Sequence, residues 1–264
     1  MATRALADLH GRYNHFRRNR ESELIYQLSW LGPGRVWAMD YMKPPRPIDG
    51  IYKKVLDVRD LASGKLLDSL PVPEEAAFQT RALLERLFAE HGAPLVLKCD
   101  NGSPLMAEEV RALLDRYGVT LLLSPPYWPR YNGACEAGHG SLKVRAHHLA
   151  AANGRVTDWS SDDLEGARLM ANELARPRAN GGLSPDAVWD GRSYITPSER
   201  EAFQILLQNN RAEISIRTWA LADQPLDPAR GKEIAAKIER DAVRRTLEKS
   251  GLLVERRRRI PLRK

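Results

Sequence analysis

The spacing of apolar residues divides most of the first 180 residues into short strands and helices. Continuous or alternating apolar runs predict strands at 35–43, 94–102 and 119–126. A further run over 51–72 predicts a β-hairpin that turns near Ala62-Ser63-Gly64. Because each run is short and is bounded by glycine, proline or polar residues, these segments are typical of strands buried in one sheet.

Apolar residues three and four positions apart predict helices between and after these strands. The predicted helices cover 74–92, 107–118, 135–154 and 161–177. The order is three strands, then alternating helices and strands, then two helices. This order predicts an α/β fold with a five-stranded mixed sheet flanked by helices.

The pattern also suggests where the chain divides into parts. Gly32-Pro33-Gly34 predicts a break, so we expect a basic N-terminal arm at 1–34 and a core at 35–195. Beyond residue 183 the pattern is looser, although Ser184-Pro185 is typical of a helix start and 232–251 predicts a separate helix. Residues 196–264 are therefore expected to form a basic, helical C-terminal extension.

Composition excludes several classes of protein. With 264 residues, 43% of them hydrophobic, the chain is long and apolar enough to bury a core. It has no run of about 20 apolar residues and no secretory signal, so we expect a cytoplasmic protein without a membrane partner. Two cysteines cannot form a disulfide scaffold. The excess of Arg (31) over Lys (10) suggests a GC-rich bacterial genome.

Positive charge is concentrated towards the C-terminus. The net charge is +7, and residues 199–264 contain 16 basic and 10 acidic residues. A continuous run, Arg256-Arg257-Arg258-Arg259, lies close to the chain end. Such a segment favours a polyanionic partner such as DNA, although a solvated charge run explains it equally well.

Three carboxylates fall where this architecture exposes side chains. Asp40 lies in the first predicted strand, Asp100 at the end of the fourth, and Glu136 in the first turn of the following helix. Carboxylates without histidine suit Mg²⁺ or Mn²⁺, and two such ions about 3.5–4 Å apart can promote phosphoryl displacement. Taken on spacing alone, three unrelated surface or capping acids remain the simpler explanation.

The sequence around these acids favours a shared metal site over three unrelated acids. The segments WAMDY, LKCDNGS and SPPYWPRYNGACEAGHGSLK resemble the three motifs of the DDE integrase/transposase family, which includes retroviral integrases and insertion-sequence transposases. The 35 residues between Asp100 and Glu136 match the family spacing, and NELARPRANGGLSPDAVW resembles the segment that closes this core. The resemblance covers about 35–190. It implies an RNase H-like fold in which Asp40, Asp100 and Glu136 are catalytic and hold two Mg²⁺ or Mn²⁺ ions.

Other residues near these motifs are candidates for DNA contact. Lys143 follows Glu136 by two helical turns and matches the family's DNA-contacting lysine, but it also fits an ordinary exposed lysine. His139 either contacts phosphate or is solvated. Tyr127, Trp128 and Arg130 lie in a Pro-rich loop and either stack on unpaired bases or pack the loop against the domain.

The resemblance implies a DNA transposase or integrase. Such an enzyme hydrolyses a phosphodiester at the end of a mobile element and then transfers the freed 3′-hydroxyl to target DNA. We expect DNA as partner, a homo-oligomer in the DNA complex, and a nucleoid-associated location. Only 34 residues precede the core, so a separate helix-turn-helix subunit recognises the element ends, the chain is truncated, or the element is a relic. Two alternatives remain, an RNase H-like nuclease and a non-catalytic regulatory protein descended from a transposase.

Overall fold

A computed structural model describes residues 22–102, 104, 106–124, 133–220 and 227–261, with the backbone alone at 22–27, 133–136 and 257–261. These residues form two units. The larger unit covers 30–252, and the smaller contains residues 22–29 together with 253–261. Among the helices so described, none is both long and apolar enough to cross a membrane.

A five-stranded sheet forms the centre of the larger unit. Its strands are β2 (Val36–Met42), β3 (Lys54–Asp60), β4 (Leu66–Val72), β5 (Val96–Cys99) and β6 (Thr120–Leu123). The spatial order is β4-β3-β2-β5-β6. The strands β2, β3 and β4 pair antiparallel, whereas β5 pairs parallel with both β2 and β6. The predicted mixed sheet is therefore confirmed.

Helices cover both faces of this sheet. Within the described residues they are α1 (Ala77–His91), α2 (Glu108–Arg116), α3 (Gly133–Ala152), α4 (Ser161–Glu173), α5 (Pro185–Asp190), α6 (Pro197–Ala220) and α7 (Pro228–Lys249), with a short 3-10 turn at Arg178–Asn180. The helix start predicted at Ser184-Pro185 is confirmed. Helix α5 begins at Pro185, and Ser184 Oγ accepts a hydrogen bond from the Ala187 amide.

Alternation along the strands separates two apolar cores. Trp37 and Met39 of β2 pack with Leu84 and Leu87 of α1, on one face of the sheet. Met42 of β2 packs on the other face, with apolar residues of α3 and α4. Because successive side chains point to opposite faces, even-numbered residues of β2 lie on the α3 side.

The β3–β4 turn is organised by a buried carboxylate. Asp60 accepts hydrogen bonds from the Gly34 amide at 2.8 Å, and from the Ser63 amide and hydroxyl at 2.7 Å each. Burial raises the pKa of Asp60. The predicted turn near Ala62-Ser63-Gly64 is confirmed, and Asp60 joins it to the entrance of β2.

The C-terminal region is helical, as expected, and it also contains a strand that the sequence pattern did not predict. Helix α7 covers the predicted helix at 232–251, whereas the spacing did not predict α6. The run Arg256-Arg257-Arg258-Arg259 lies in a strand, β7 (Leu253–Pro261), that pairs with β1 (Ser22–Trp30). The segments expected to be an arm and a helical extension thus contribute the two strands of the smaller sheet.

Candidate active site

Parallel pairing of β2 with β5 brings two of the candidate acids to the same edge of the sheet. Ala38 of β2 pairs with Lys98 of β5. Two residues further along the chain from this pair lie Asp40, within β2, and Asp100, directly after the end of β5. Because residues i and i+2 of a strand share a face, both side chains lie on the α3 side.

Local hydrogen bonds orient each of these carboxylates. Asp40 Oδ1 accepts a hydrogen bond from the Tyr41 amide at 2.8 Å, and Asp100 Oδ1 accepts one from the Gly102 amide at 2.9 Å. A Cβ atom at residue 102 would lie 2.9 Å from that same Asp100 oxygen, so glycine suits this tight turn. Asn101 Nδ2 donates to the Ser124 carbonyl, which ties the turn to the end of β6.

The neighbouring acids affect the pKa of Asp40. Burial is the largest cause of its raised pKa, and the negative charges of Asp100 and Asp57 raise it further. His139 acts in the opposite direction and lowers this pKa. The ionised form of Asp40 is therefore disfavoured unless a positive charge lies nearby.

The sequence did not single out Asp57. This residue pairs directly with Asp40 across β2 and β3, and its side chain is 3% exposed. His139 Nε2 lies 3.1 Å from Asp57 Oδ2, while His139 Nδ1 lies 3.9 Å from Asp40 Oδ2. The available signal was an acid within the apolar run of the hairpin predicted over 51–72.

The remaining candidates fall in different parts of the chain. Glu136 lies in the first turn of α3, but its side chain is outside the described residues, as are Tyr127, Trp128 and Arg130. Lys143 is half-buried on α3. In the smaller unit Arg256 is exposed on β7, and Arg257, Arg258 and Arg259 are described only by their backbone.

The donor set at this edge fits a divalent cation. Asp40 and Asp100 carry hard carboxylate oxygens of the kind that Mg²⁺ binds, and a cation would relieve the repulsion that contributes to the raised pKa of Asp40. The side chains that the structure describes contain no group of three His, Cys, Asp or Glu able to hold a metal. A complete site therefore requires Glu136 or another group in addition.

Comparison with protein families identifies the region that contains these acids. The integrase core domain family matches residues 31–129, a region that includes β2 to β6, Asp40 and Asp100. The predicted resemblance is thereby confirmed for this region.

Retroviral polyproteins are similar to the integrase core and its surroundings. The Pol polyprotein of Radiation murine leukemia virus (strain Kaplan) is 30% identical over 128 residues, which are 48% of this chain and 22% of that protein. The Pol polyprotein of Feline endogenous virus ECE1 is 27% identical over 163 residues, 60% of this chain and 15% of that protein. The chain thus spans less than a quarter of these curated relatives. Because they are retroviral, they give no support to the expected bacterial source.

Solved integrases share the fold of this core. A simian T-cell lymphotropic virus intasome, solved in complex with the PP2A regulatory subunit B56 gamma, aligns with a TM-score of 0.55 and 17% identity, over 67% of this chain and 66% of that chain. The HTLV-2 integrase catalytic core domain, solved with magnesium in a trimeric form, aligns with a TM-score of 0.50 and 16% identity, over 60% of this chain and 98% of that chain. The RNase H-like fold is therefore confirmed.

Proposed function

We propose that the chain is a DDE recombinase that cuts DNA at the ends of a mobile element and joins them to target DNA. The observation that supports this proposal is the parallel β2–β5 register, which leads towards Asp40 and Asp100 at one edge of the sheet, in a region that matches the integrase core family. The catalytic unit would be the core at 35–195, with Asp40, Asp100 and Glu136 as its acids.

In this proposal the three acids hold two Mg²⁺ or Mn²⁺ ions. When bound, these ions would supply the positive charge that in-line displacement at phosphorus requires. The chain's own contribution is to keep the carboxylates oriented before DNA arrives. The Tyr41 and Gly102 amides fix one oxygen each of Asp40 and Asp100, so little reorganisation is needed during the reaction.

The DNA-binding surface would include residues outside the acid cluster. Lys143 and His139 lie on the helix that carries Glu136, and Tyr127, Trp128 and Arg130 precede it in sequence. We also propose that the arginines of β7 contact phosphate, that a homo-oligomer pairs two ends, and that a helix-turn-helix subunit recognises them. The site of action would be the nucleoid of a bacterial host.

A strand-transfer assay tests the proposed chemistry. The substrate is a labelled, pre-cleaved duplex copied from inverted repeats that flank the gene, with a supercoiled plasmid as target and Mg²⁺ present. We expect strand-transfer products from the full chain and none from Asp100→Asn. In EDTA, Asp100→Asn should melt at the same or a higher temperature, because it removes repulsion with Asp40.

Asp115→Asn is the matched control, since Asp115 is an exposed acid on α2. This variant should retain strand transfer at the wild-type rate. Nicking or degradation of the labelled duplex or the plasmid without joining would favour the nuclease alternative, and DNA binding without either reaction would favour the regulatory one. Wild-type activity in Asp100→Asn would refute the assignment of the acids.

A further inference from the structure

The strand β3 presents two charged residues to helix α3. Asp57 and Arg59 alternate with Leu56 and Val58, which belong to the apolar core on the opposite face of the sheet. Val55, two residues before Asp57, packs in the core that α3 and α4 cover. Asp57 and Arg59 therefore lie beneath α3, where apolar side chains would otherwise be expected.

Asp57 occupies a costly position. It is almost fully buried, and it lies directly opposite another acid, Asp40, on an adjacent strand. Like charges in this arrangement destabilise a sheet. Within the described residues neither Asp57 oxygen accepts a well-formed hydrogen bond. A buried carboxylate in this situation needs a nearby cationic or donor group.

His139 of α3 occupies the space between the two acids. Its Nε2 lies 3.1 Å from Asp57 and its Nδ1 lies 3.9 Å from Asp40, and its side chain is 13% exposed. The two ring nitrogens face different strands, so a single imidazole connects α3 to both β2 and β3. This contact joins the helix of Glu136 to the strand of Asp40.

Arg59 contacts the same turn of α3 at a second point. A Cβ atom built on Gly138 would lie 1.5 Å from Arg59 Nη1 and 2.5 Å from Arg59 Cζ. The guanidinium therefore fills the space that any side chain at residue 138 would need. Arg59 Nη2 also donates a hydrogen bond to the Gly64 carbonyl at 3.1 Å, which anchors it to the β3–β4 turn.

We infer that Asp57, Arg59, Gly138 and His139, here named the α3 seat, fix the N-terminal part of α3 and thereby position Glu136 relative to Asp40. Asp57 and Arg59 are positioning residues in this inference, which rests on the proposed function. Gly138 and His139 follow Glu136 by only two and three residues. With a rise of 1.5 Å per residue, the seat lies within about 5 Å of Glu136 along the helix axis.

Loss of the seat should affect turnover more than DNA binding. A reacting group that moves by about 1 Å can lose roughly 100-fold in rate, whereas contacts with the DNA backbone elsewhere are unaffected. Substitution at Gly138 is the sharpest probe, because it displaces Arg59 without changing any charge. Gly140 provides the matched control on the same helix, since a Cβ there would meet nothing within 4 Å.

The experiment compares full-length Gly138→Ala, Gly140→Ala and the double variant Gly138→Ala/Arg59→Ala. Amide hydrogen exchange over residues 137–142, measured without DNA, reports the seat independently of activity. Strand-transfer rate at saturating DNA and DNA affinity are measured in parallel. We expect faster exchange and a 10- to 100-fold lower rate in Gly138→Ala, with a much smaller change in DNA affinity. Gly140→Ala should match the wild type or exchange more slowly, and the double variant should recover part of the rate because the clash is removed.

A second pair of variants separates positioning from metal binding. Asp57→Asn should also speed exchange of the 137–142 amides, and it should leave Mn²⁺ affinity close to the wild-type value. Equal amide exchange in Gly138→Ala and Gly140→Ala would refute the inferred role of the α3 seat. A loss of Mn²⁺ affinity in Asp57→Asn as large as in Asp100→Asn, with unchanged exchange, would also overturn it. An inactive wild type would refute the proposed function alone, because the exchange measurement needs no DNA.

Discussion

Asp40 lies in the central strand β2 and is also one of the three acids of the proposed active site. It is held by its neighbour's amide, faces His139, and lies within the electrostatic influence of both Asp100 and Asp57. Its raised pKa follows first from burial and then from these negative charges. In the protein without bound cations, Asp40 is therefore repelled by Asp100 and Asp57 at the edge of the sheet where cations are proposed to bind.

This repulsion makes stability depend on pH. A carboxyl group with a raised pKa in the folded state favours folding most below its ordinary value, and that contribution is lost as the pH rises through the folded-state pKa. Asparagine does not titrate, so the stability of Asp40→Asn does not fall for this reason as the pH rises. In EDTA, the melting temperature of Asp40→Asn minus that of the wild type should therefore increase from pH 4 to pH 7. A difference that is constant or decreases over this range would contradict the coupling.

The sequence could reveal Asp40 and Asp100 but not Asp57. The first two lie within or at the end of predicted strands, and their neighbouring residues resemble known motifs. Asp57 is one acid within KVLDVRD, and its importance depends on the β2–β3 register and on the packing of α3. For the same reason His139 was expected to be solvated or to contact phosphate, whereas it lies between two carboxylates.

Helices and strands with a regular apolar pattern were predicted within a few residues of their observed bounds. Helix α6 was missed because its buried side chains include a polar one, Asn210, besides Phe203 and Leu207. Strands β1 and β7 were missed because they are far apart in sequence, and a run of four arginines does not have the apolar alternation of a buried strand.

Asn210 connects the two C-terminal helices through polar contacts. Its Nδ2 donates to Thr246 Oγ1 at 2.9 Å, and its Oδ1 accepts from Lys249 Nζ at 2.9 Å. Asn210→Ala should lower the free energy of unfolding by about 1–3 kcal/mol, because it leaves buried groups without partners. Asn209→Ala is the control, since Asn209 is exposed on the same helix and alanine favours helices. Denaturant unfolding of both variants measures the difference, and equal stability would show that the contacts contribute nothing.

The molecule as a whole carries its excess positive charge in its C-terminal quarter. Four of these charges lie in β7 of the smaller unit. Phosphate contacts by arginine raise affinity, depend on salt, and carry no base information directly. We therefore expect this strand to increase affinity for DNA with little effect on sequence preference.

Replacing Arg256, Arg257, Arg258 and Arg259 by glutamine tests this expectation while retaining strand length. If two of the four contact phosphate, the slope of log affinity against log salt should flatten by about 2, at roughly 0.9 per contact. Preference between two DNA sequences should be unchanged. The control is Arg81→Gln/Arg116→Gln, on α1 and α2 across the sheet from Asp40, which should leave the slope nearly unchanged. An unaltered slope in the quadruple variant would place the DNA-binding charge elsewhere.

The proposed chemistry depends above all on the convergence of Asp40, Asp100 and Glu136 around divalent cations. A crystal structure of the full chain with Mn²⁺ and a DNA end, with anomalous scattering measured at the manganese edge, tests this directly. We expect manganese between Asp40 and Asp100, with the Glu136 carboxylate within about 4–8 Å of both, close enough to share two ions. Manganese bound away from these acids, or Glu136 directed away from Asp40 with DNA in place, would contradict the account.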